Sequence, residues 1–340
     1  MKIAMITPFY LPPVRGNAVT VRRIARHLAA EFRVTVQSLD TSSAGEILQA
    51  ISHDPPDLIH AFHGYLGGRV AREVARATGI PYLVTLTGSD VYEALEDGRR
   101  GETLAALRDA AAIVAFHKCV KCTVSEHHTS FAEKSVVIPQ GVEFPGEEFD
   151  WGAERFDAGE FVFFLPAGLR PVKNVGYPLA PLAELHREEP RIRFLVAGPV
   201  LDHAYAAAVL AEIDRCPFAR YLGEVGHGAI GALYRRADVV LNTSIFEGGM
   251  ANSVLEALAF GKPVLASCID GNRSVVKEGK TGLLYRGEAE FREKARELVS
   301  DGELRQRLGN SGRLVVREKF TAEREAAAYA ELYRRIVSAG

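Results

Sequence analysis

The residues best suited to chemistry lie in one run, 242–267, which reads as a strand end, a glycine loop at Gly248 and Gly249, a helix, and a further strand. Asn252 or Ser253 is the expected N-cap of that helix, and Gly261 its C-terminal stop. The loop and first turn, Met250, Ala251, Asn252 and Ser253, offer backbone N–H groups at the positive end of a helix dipole, which suits an anion. Glu247 and Glu256 flank this anion site. A carboxylate accepts hydrogen bonds in pairs, so two of them around a phosphate suit a ligand with hydroxyls on either side, the shape of a nucleotide sugar. The same pattern fits a glutamate on a solvated loop and another on a helix face.

A second set of candidates follows the apolar run Phe161 to Leu165. There Arg170 and Lys173 could converge on a diphosphate, Arg as a two-pronged donor and Lys as a point charge. Two cations in a loop also fit plain surface charge. Gly16 and Asn17 follow the first apolar run, where backbone can approach a ligand or simply turn. His60 and His63 end another run as cleft or strand-edge residues. The glycines from Gly226 to Gly231 match G-x-G-x-x-G with Glu247 about 20 residues on, but the preceding segment is short and weakly apolar. Cys119 and Cys122 have the spacing of a zinc pair and are read as packing residues. No D-x-D occurs, so phosphate charge must be met by Arg, Lys and a helix dipole, with no metal and no cofactor expected.

Short β-branched runs at 3–7, 34–38, 58–61, 82–86, 113–116 and 136–139 alternate with helical patterns, giving the rhythm of a parallel sheet, lapse at 143–154, then restart at 161–165, 194–197, 239–242 and 264–267. The expected architecture is α/β: two doubly wound Rossmann-like domains, over 1–145 and 146–320, with a C-terminal helix at 321–340. A chain of 340 residues exceeds one ordinary core. With 41 basic and 43 acidic side chains, there is no whole-molecule field for gripping nucleic acid. Four cysteines suit a reducing compartment, and Pro8, Pro12 and Pro13 break the only leader-like apolar start. A soluble, cytoplasmic protein is expected, with membrane contact at most peripheral.

The landmarks Gly168-Leu-Arg-Pro-Val-Lys173, Phe194-Leu-Val-Ala-Gly-Pro199, Tyr221-Leu-Gly-Glu-Val225, the Glu247 to Glu256 run, Ile269-Asp-Gly-Asn272 and Glu278-Gly-Lys-Thr-Gly282 resemble those of the family 4 glycosyltransferases, across nearly the whole chain. The combination of Leu86-Thr-Gly-Ser-Asp90, Gly168-Leu-Arg170 and Asp270-Gly-Asn272 is most similar to that of glycosyltransferase 1 domain-containing proteins and selenosugar synthases. The resemblance implies a GT-B fold, two Rossmann-like domains facing across a cleft with the last helix crossing back to the first. It also implies retaining transfer from a nucleotide-diphosphate sugar, UDP favoured, to an unidentified acceptor.

By that resemblance Arg170 and Lys173 neutralise the donor diphosphate, Glu247 holds sugar hydroxyls and Glu256 the ribose. Gly248 to Ser253 bind phosphate or sugar through backbone N–H groups, Leu222, Gly223 and Val225 border the base, and Gly16 and Asn17 approach the diphosphate. His63, Thr87 and Asp90 stand on the acceptor or sugar side, Thr87 where many relatives carry histidine. Competing readings are a selenosugar- or thiosugar-forming transferase, a non-catalytic nucleotide-sugar sensor, and an NAD-dependent oxidoreductase using the 226–231 glycines.

Overall fold

The computed structural model describes residues 1–11, 16–143 and 159–339. Pro12 to Arg15 and the stretch read as a linker, Pro145 to Glu154, lie outside the described residues. The chain forms two compact units, one of Met1–Gly141, Gly248–Met250 and Phe320–Gly340, the other of Val142–Glu247 and Ala251–Lys319.

The first unit holds strands β1 (Lys2–Thr7), β2 (Arg33–Ser38), β3 (Leu58–Phe62), β4 (Tyr82–Thr85), β5 (Ala112–Ala115) and β6 (Ser135–Val137). They form one parallel sheet in the order β2-β1-β3-β4-β5-β6. Its helices are α1 (Gly16–Leu28), α2 (Ala44–His53), α3 (Gly68–Thr78), α4 (Ser89–Tyr92), α5 (Arg100–Asp109), α6 (Lys118–Ser125) and α7 (Thr129–Lys134). Successive strand side chains point to opposite faces, and both faces are covered. Ala4 and Ile6 enter one apolar cluster while Ile3 and Met5 enter another. That is why β1 and the inner strands β3, β4 and β5 read as largely apolar runs, whereas the edge strand β2, partly exposed, alternates Val34 and Val36 with polar residues.

The second unit holds β7 (Phe161–Pro166), α8 (Leu179–Glu188), β8 (Ile192–Ala197), α9 (His203–Ile213), β9 (Ala219–Tyr221), α10 (His227–Arg236), β10 (Val239–Asn242), α11 (Asn252–Ala259), β11 (Val264–Ser267), α12 (Asp270–Val275), β12 (Leu283–Tyr285), α13 (Glu288–Ser300) and α14 (Gly302–Lys319). Its parallel sheet has the order β12-β11-β10-β7-β8-β9, the doubly wound arrangement with its first strand beside its fourth. Gly198, at φ 155, follows β8, and a Cβ there would overlap the Ala167 carbonyl, so only glycine fits this crossing beside β7. Gly261, at φ 69, ends α11 as its spacing predicts.

Helix α15 (Ala322–Ala339) packs in the first unit against α1. Arg23 and Glu325 meet there in a two-point ion pair, Nε to Oε2 at 2.7 Å and the second contact at 3.2 Å, with side chains only 6% and 0% exposed. His60 on β3 is fully buried between the Tyr333 hydroxyl at 2.6 Å and the Thr85 hydroxyl at 2.7 Å, and Thr85 in turn meets the Tyr329 hydroxyl at 3.0 Å. Burial drives the His60 pKa down to about 3, so the ring is neutral, one nitrogen donating and the other accepting.

Candidate active site

In a doubly wound sheet, ligands bind outside the carboxyl ends of the strands, where the strand order reverses. In the second unit that point lies between β7 and β10, neighbours with Val239 opposite Phe163. The chain leaves β7 into Arg170 and a 3-10 turn, Pro171–Lys173, and leaves β10 into 243–247. Lys173 Nζ pairs with Glu247 Oε1, and the Ser244 hydroxyl donates to the same oxygen at 2.7 Å. The two loops are stitched together behind this pair. The Thr243 hydroxyl donates to the Lys173 carbonyl at 2.7 Å, and the Ile245 N–H to the Val172 carbonyl at 2.9 Å. Asn174, left-handed at φ 47, closes the turn, and the Val175 N–H donates to the Tyr205 hydroxyl at 2.6 Å.

The ion pair is mostly withdrawn from solvent, with side chains 19% and 14% exposed. Burial is the largest influence on Glu247 and pushes its pKa up. The Lys173 charge and hydrogen bond, the Ser244 hydroxyl and the Arg170 charge outweigh it, so the carboxyl sits below its ordinary value and is ionised at neutral pH. Arg170 is exposed and makes no ion pair or side-chain hydrogen bond among the described residues. The site therefore holds one cation already committed to a carboxylate and, beside it, one whose guanidinium is open to an anion.

Glu256 lies on α11, where the fully buried Tyr234 of α10 donates its hydroxyl to Glu256 Oε2 at 2.7 Å. Tyr234 is fixed by stacking on Phe260, centroids 5.2 Å apart, and by an edge contact with Phe164 at 5.4 Å. The expected side-chain cap at Asn252 or Ser253 is corrected. Ala251 is the N-cap and no side chain caps the helix. Both candidate residues already lie within the first turn, so their side chains cannot reach forward as a cap does. Gly248, Gly249 and Met250 group with the first unit, while Ala251, Asn252 and Ser253 belong to the second. Leu222, Gly223 and Val225 follow the edge strand β9 and are partly exposed, Gly223 at φ 77.

The first unit has its own reversal, between β1 and β3. Asn17 Nδ2 donates to the Thr7 hydroxyl at 3.0 Å, and the exposed Gly16 opens α1. His63 follows β3 in the left-handed region, φ 73, at the start of a π-helical turn, His63–Gly67. Its Nδ1 accepts the Leu66 N–H at 3.1 Å, so the neutral ring carries its proton on Nε2 and donates to the Ser89 hydroxyl oxygen at 3.0 Å. Burial lowers its pKa despite the opposing charge of Asp90. Asp90 is fully buried and accepts N–H bonds from Gly64 at 2.7 Å, Gly88 at 2.6 Å and Thr87 at 3.0 Å. Its carboxylate therefore shapes the loop that carries Thr87, from inside, and Thr87 is the partly exposed member of the group.

Residues 147–315 match the family described as Glycosyl transferases group 1. The chain carries a group 1 glycosyltransferase domain. This glycosyltransferase is 26% identical over 327 residues to glycosyltransferase 1 domain-containing protein 1 of Xenopus tropicalis, a match covering 93% of each chain. In fold it is similar to HepE of Anabaena in complex with UDP and glucose, with a TM-score of 0.78 and 19% identity over 98% of this chain and 100% of that one. It is likewise similar to sucrose-phosphate synthase of Thermosynechococcus elongatus, with a TM-score of 0.82 and 17% identity over 100% of both chains. These likenesses, with the two parallel six-stranded α/β sheets, establish the GT-B fold.

Sequence reading missed several residues that hold the candidate ones in place: Thr243, Ser244, Tyr205 and Tyr234 in the second unit and Ser89 in the first. Ser244 stands three residues before Glu247, a spacing that already carried a signal. The others are hydroxyl side chains whose partners are distant in sequence. Cys119 and Cys122 are corrected, being exposed cysteines outside any disulfide rather than packing residues. On α6 it is Val120 and Val124, four apart, that turn inward. The 226–231 glycines open α10 after β9, a three-residue strand at the sheet edge, away from the reversal of strand order where such a fingerprint would bind a dinucleotide.

Proposed function

We propose that this glycosyltransferase moves a sugar from a UDP-sugar to a hydroxyl, thiol or selenol acceptor with retention of configuration and without a bound metal. The bond from the anomeric carbon to the diphosphate oxygen breaks, a bond to the acceptor forms, and UDP leaves. The observation that carries this reading is the open Arg170 guanidinium beside the Lys173–Glu247 pair at the reversal of strand order. Two cations beside the point where negative charge grows on a leaving diphosphate, Lys173 held by Glu247 and Arg170 open to the anion, would stabilise it. Solved neighbours of the same fold hold UDP with glucose and UDP-glucose, which supports a uridine donor here.

The test is UDP release from a panel of UDP-sugars in the presence of a chelator, with the anomeric configuration of the product read by NMR. Turnover in chelator with retained configuration is the expected result. Turnover that requires an added divalent cation would overturn the metal-free part, and inversion would overturn retention. Lys173→Ala and Arg170→Ala are each expected to cut the rate about 10- to 100-fold, since a hydrogen bond to a charged group is worth about 1.5–3 kcal/mol. The melting temperature of Arg170→Ala should stay near wild type, while Lys173→Ala, which leaves the Glu247 carboxylate without its cation, should melt lower yet still fold. Collapse of the fold in either variant would make these residues structural.

A further inference from the structure

We infer that Asn272 and Ser267 are positioning residues for Glu247, acting through Ser244 along a chain of buried and partly buried hydrogen bonds. Asn272 lies on α12 with no exposed surface. Its amide nitrogen donates to Asn242 Oδ1 at 3.0 Å, the Ser267 carbonyl at 2.9 Å and the Ser267 hydroxyl oxygen at 3.1 Å. Ser267, at the end of β11, passes its own hydroxyl proton to the Ser244 carbonyl at 2.6 Å. Asn242 Oδ1 also accepts the Ser244 N–H at 3.2 Å. Ser244 is thus gripped at both its N–H and its carbonyl, which leaves its hydroxyl one task, donation to Glu247 Oε1 at 2.7 Å. The preceding residue, Thr243, holds the Lys173 carbonyl, so consecutive residues of one loop fix both members of the ion pair.

The polarity of the chain is what ties it to function rather than to packing. Along the branch through Ser267 each donor points toward the carboxylate, from the Asn272 amide to Ser267, from the Ser267 hydroxyl to the Ser244 carbonyl and from the Ser244 hydroxyl to Glu247. Asn242 Oδ1 is a shared acceptor that anchors Asn272 and the Ser244 N–H from the other side. Asn272 Oδ1 accepts no hydrogen bond among the described residues, so a buried carbonyl is carried along with the amide donors it accompanies. An apolar side chain at 272 would avoid that cost and lose the alignment. Asn272 and Ser244 are 0% and 2% exposed and act on the site through Glu247.

The inference rests on the UDP-sugar reading for its functional consequence, and two measurements separate them. The first is UDP affinity by calorimetry from pH 5 to 8 for wild type, Ser267→Ala, Ser267→Thr and Asn272→Ala. The expected result is a 3- to 10-fold loss in Ser267→Ala and Asn272→Ala, with the acid limb moved to higher pH, and recovery in Ser267→Thr. The second needs no ligand. It is the carboxyl carbon titration of Glu247 by NMR, assigned with Glu247→Gln, in a site whose facing charges are Lys173 and Arg170. Its midpoint should rise in Ser267→Ala and return in Ser267→Thr. An unmoved midpoint in Ser267→Ala overturns the positioning role, whether or not UDP binds. Failure of wild type to bind UDP beside a moved midpoint overturns the donor reading instead. Should Asn272→Ala fail to fold, Ser267→Ala, which removes only a partly exposed hydroxyl, decides both.

Discussion

Glu247 stood out because a glutamate beside a glycine loop suggests ionic chemistry, and Lys173 because it is a cation after an apolar strand, but that the two pair with each other was not legible. Nor were their supports, because a serine or tyrosine hydroxyl finds its partner only after folding. Tyr234 illustrates this. It lies on α10 just beyond the 226–231 glycines that matched a rival motif, and folding turns it onto Glu256 at 2.7 Å. Tyr234→Phe keeps the ring stacked on Phe260 and removes the donor to a carboxylate, so UDP affinity should fall about 10-fold or somewhat more. Calorimetry with UDP beside UMP checks it, and unchanged affinity would detach Glu256 from the donor.

Asp90 belongs to the same scale. Three backbone N–H groups converge on its buried carboxylate, so Asp90→Ala should cost about 3 kcal/mol in urea denaturation, the size of an uncompensated buried network. Thr87→Ala should cost far less. Equal costs would mean that Asp90 does not organise the loop.

Among elements, the strands buried on both faces were readable to within a residue or two, because a continuous apolar run has no other use in a parallel sheet. The two missed strands, β9 and β12, are three residues long and stand at the sheet edges, where half-polar sequence such as Ala219 to Tyr221 carries no period. The last helix was legible as amphipathic, but not the polar cluster its tyrosines form with His60 and Thr85. That cluster has a pH signature. The folded His60 pKa of about 3 lies below the ordinary 6.5, so the unfolded chain binds the extra proton, and the neutral ring's full contribution is present above pH 6.5. It is lost progressively as pH falls from 6.5 toward 3. Denaturant melts should show a loss of about 2 kcal/mol from this group between pH 7 and pH 5. In His60→Asn that part of the slope should vanish, and a slope unchanged from wild type would contradict the buried neutral ring.

At the scale of the whole molecule, two α/β units with different strand orders each gather their loops at their own reversal point, and no helix among the described residues is long and apolar enough to cross a membrane. The doubly wound pattern was visible in the alternation of elements. Strand order was not, since only the folded sheet sets β7 beside β10 and so brings Lys173 to Glu247. The central claim is that Arg170 and Lys173 hold the diphosphate of a uridine donor at that point. Calorimetric titration of wild type, Arg170→Ala and Lys173→Ala with UDP and with uridine tests it most directly. The account predicts that wild type binds UDP at least 100-fold more tightly than uridine, and that each substitution removes about 10-fold or more of that difference while leaving uridine unaffected. Equal affinities for UDP and uridine in wild type, or variants that retain the full difference, would contradict it.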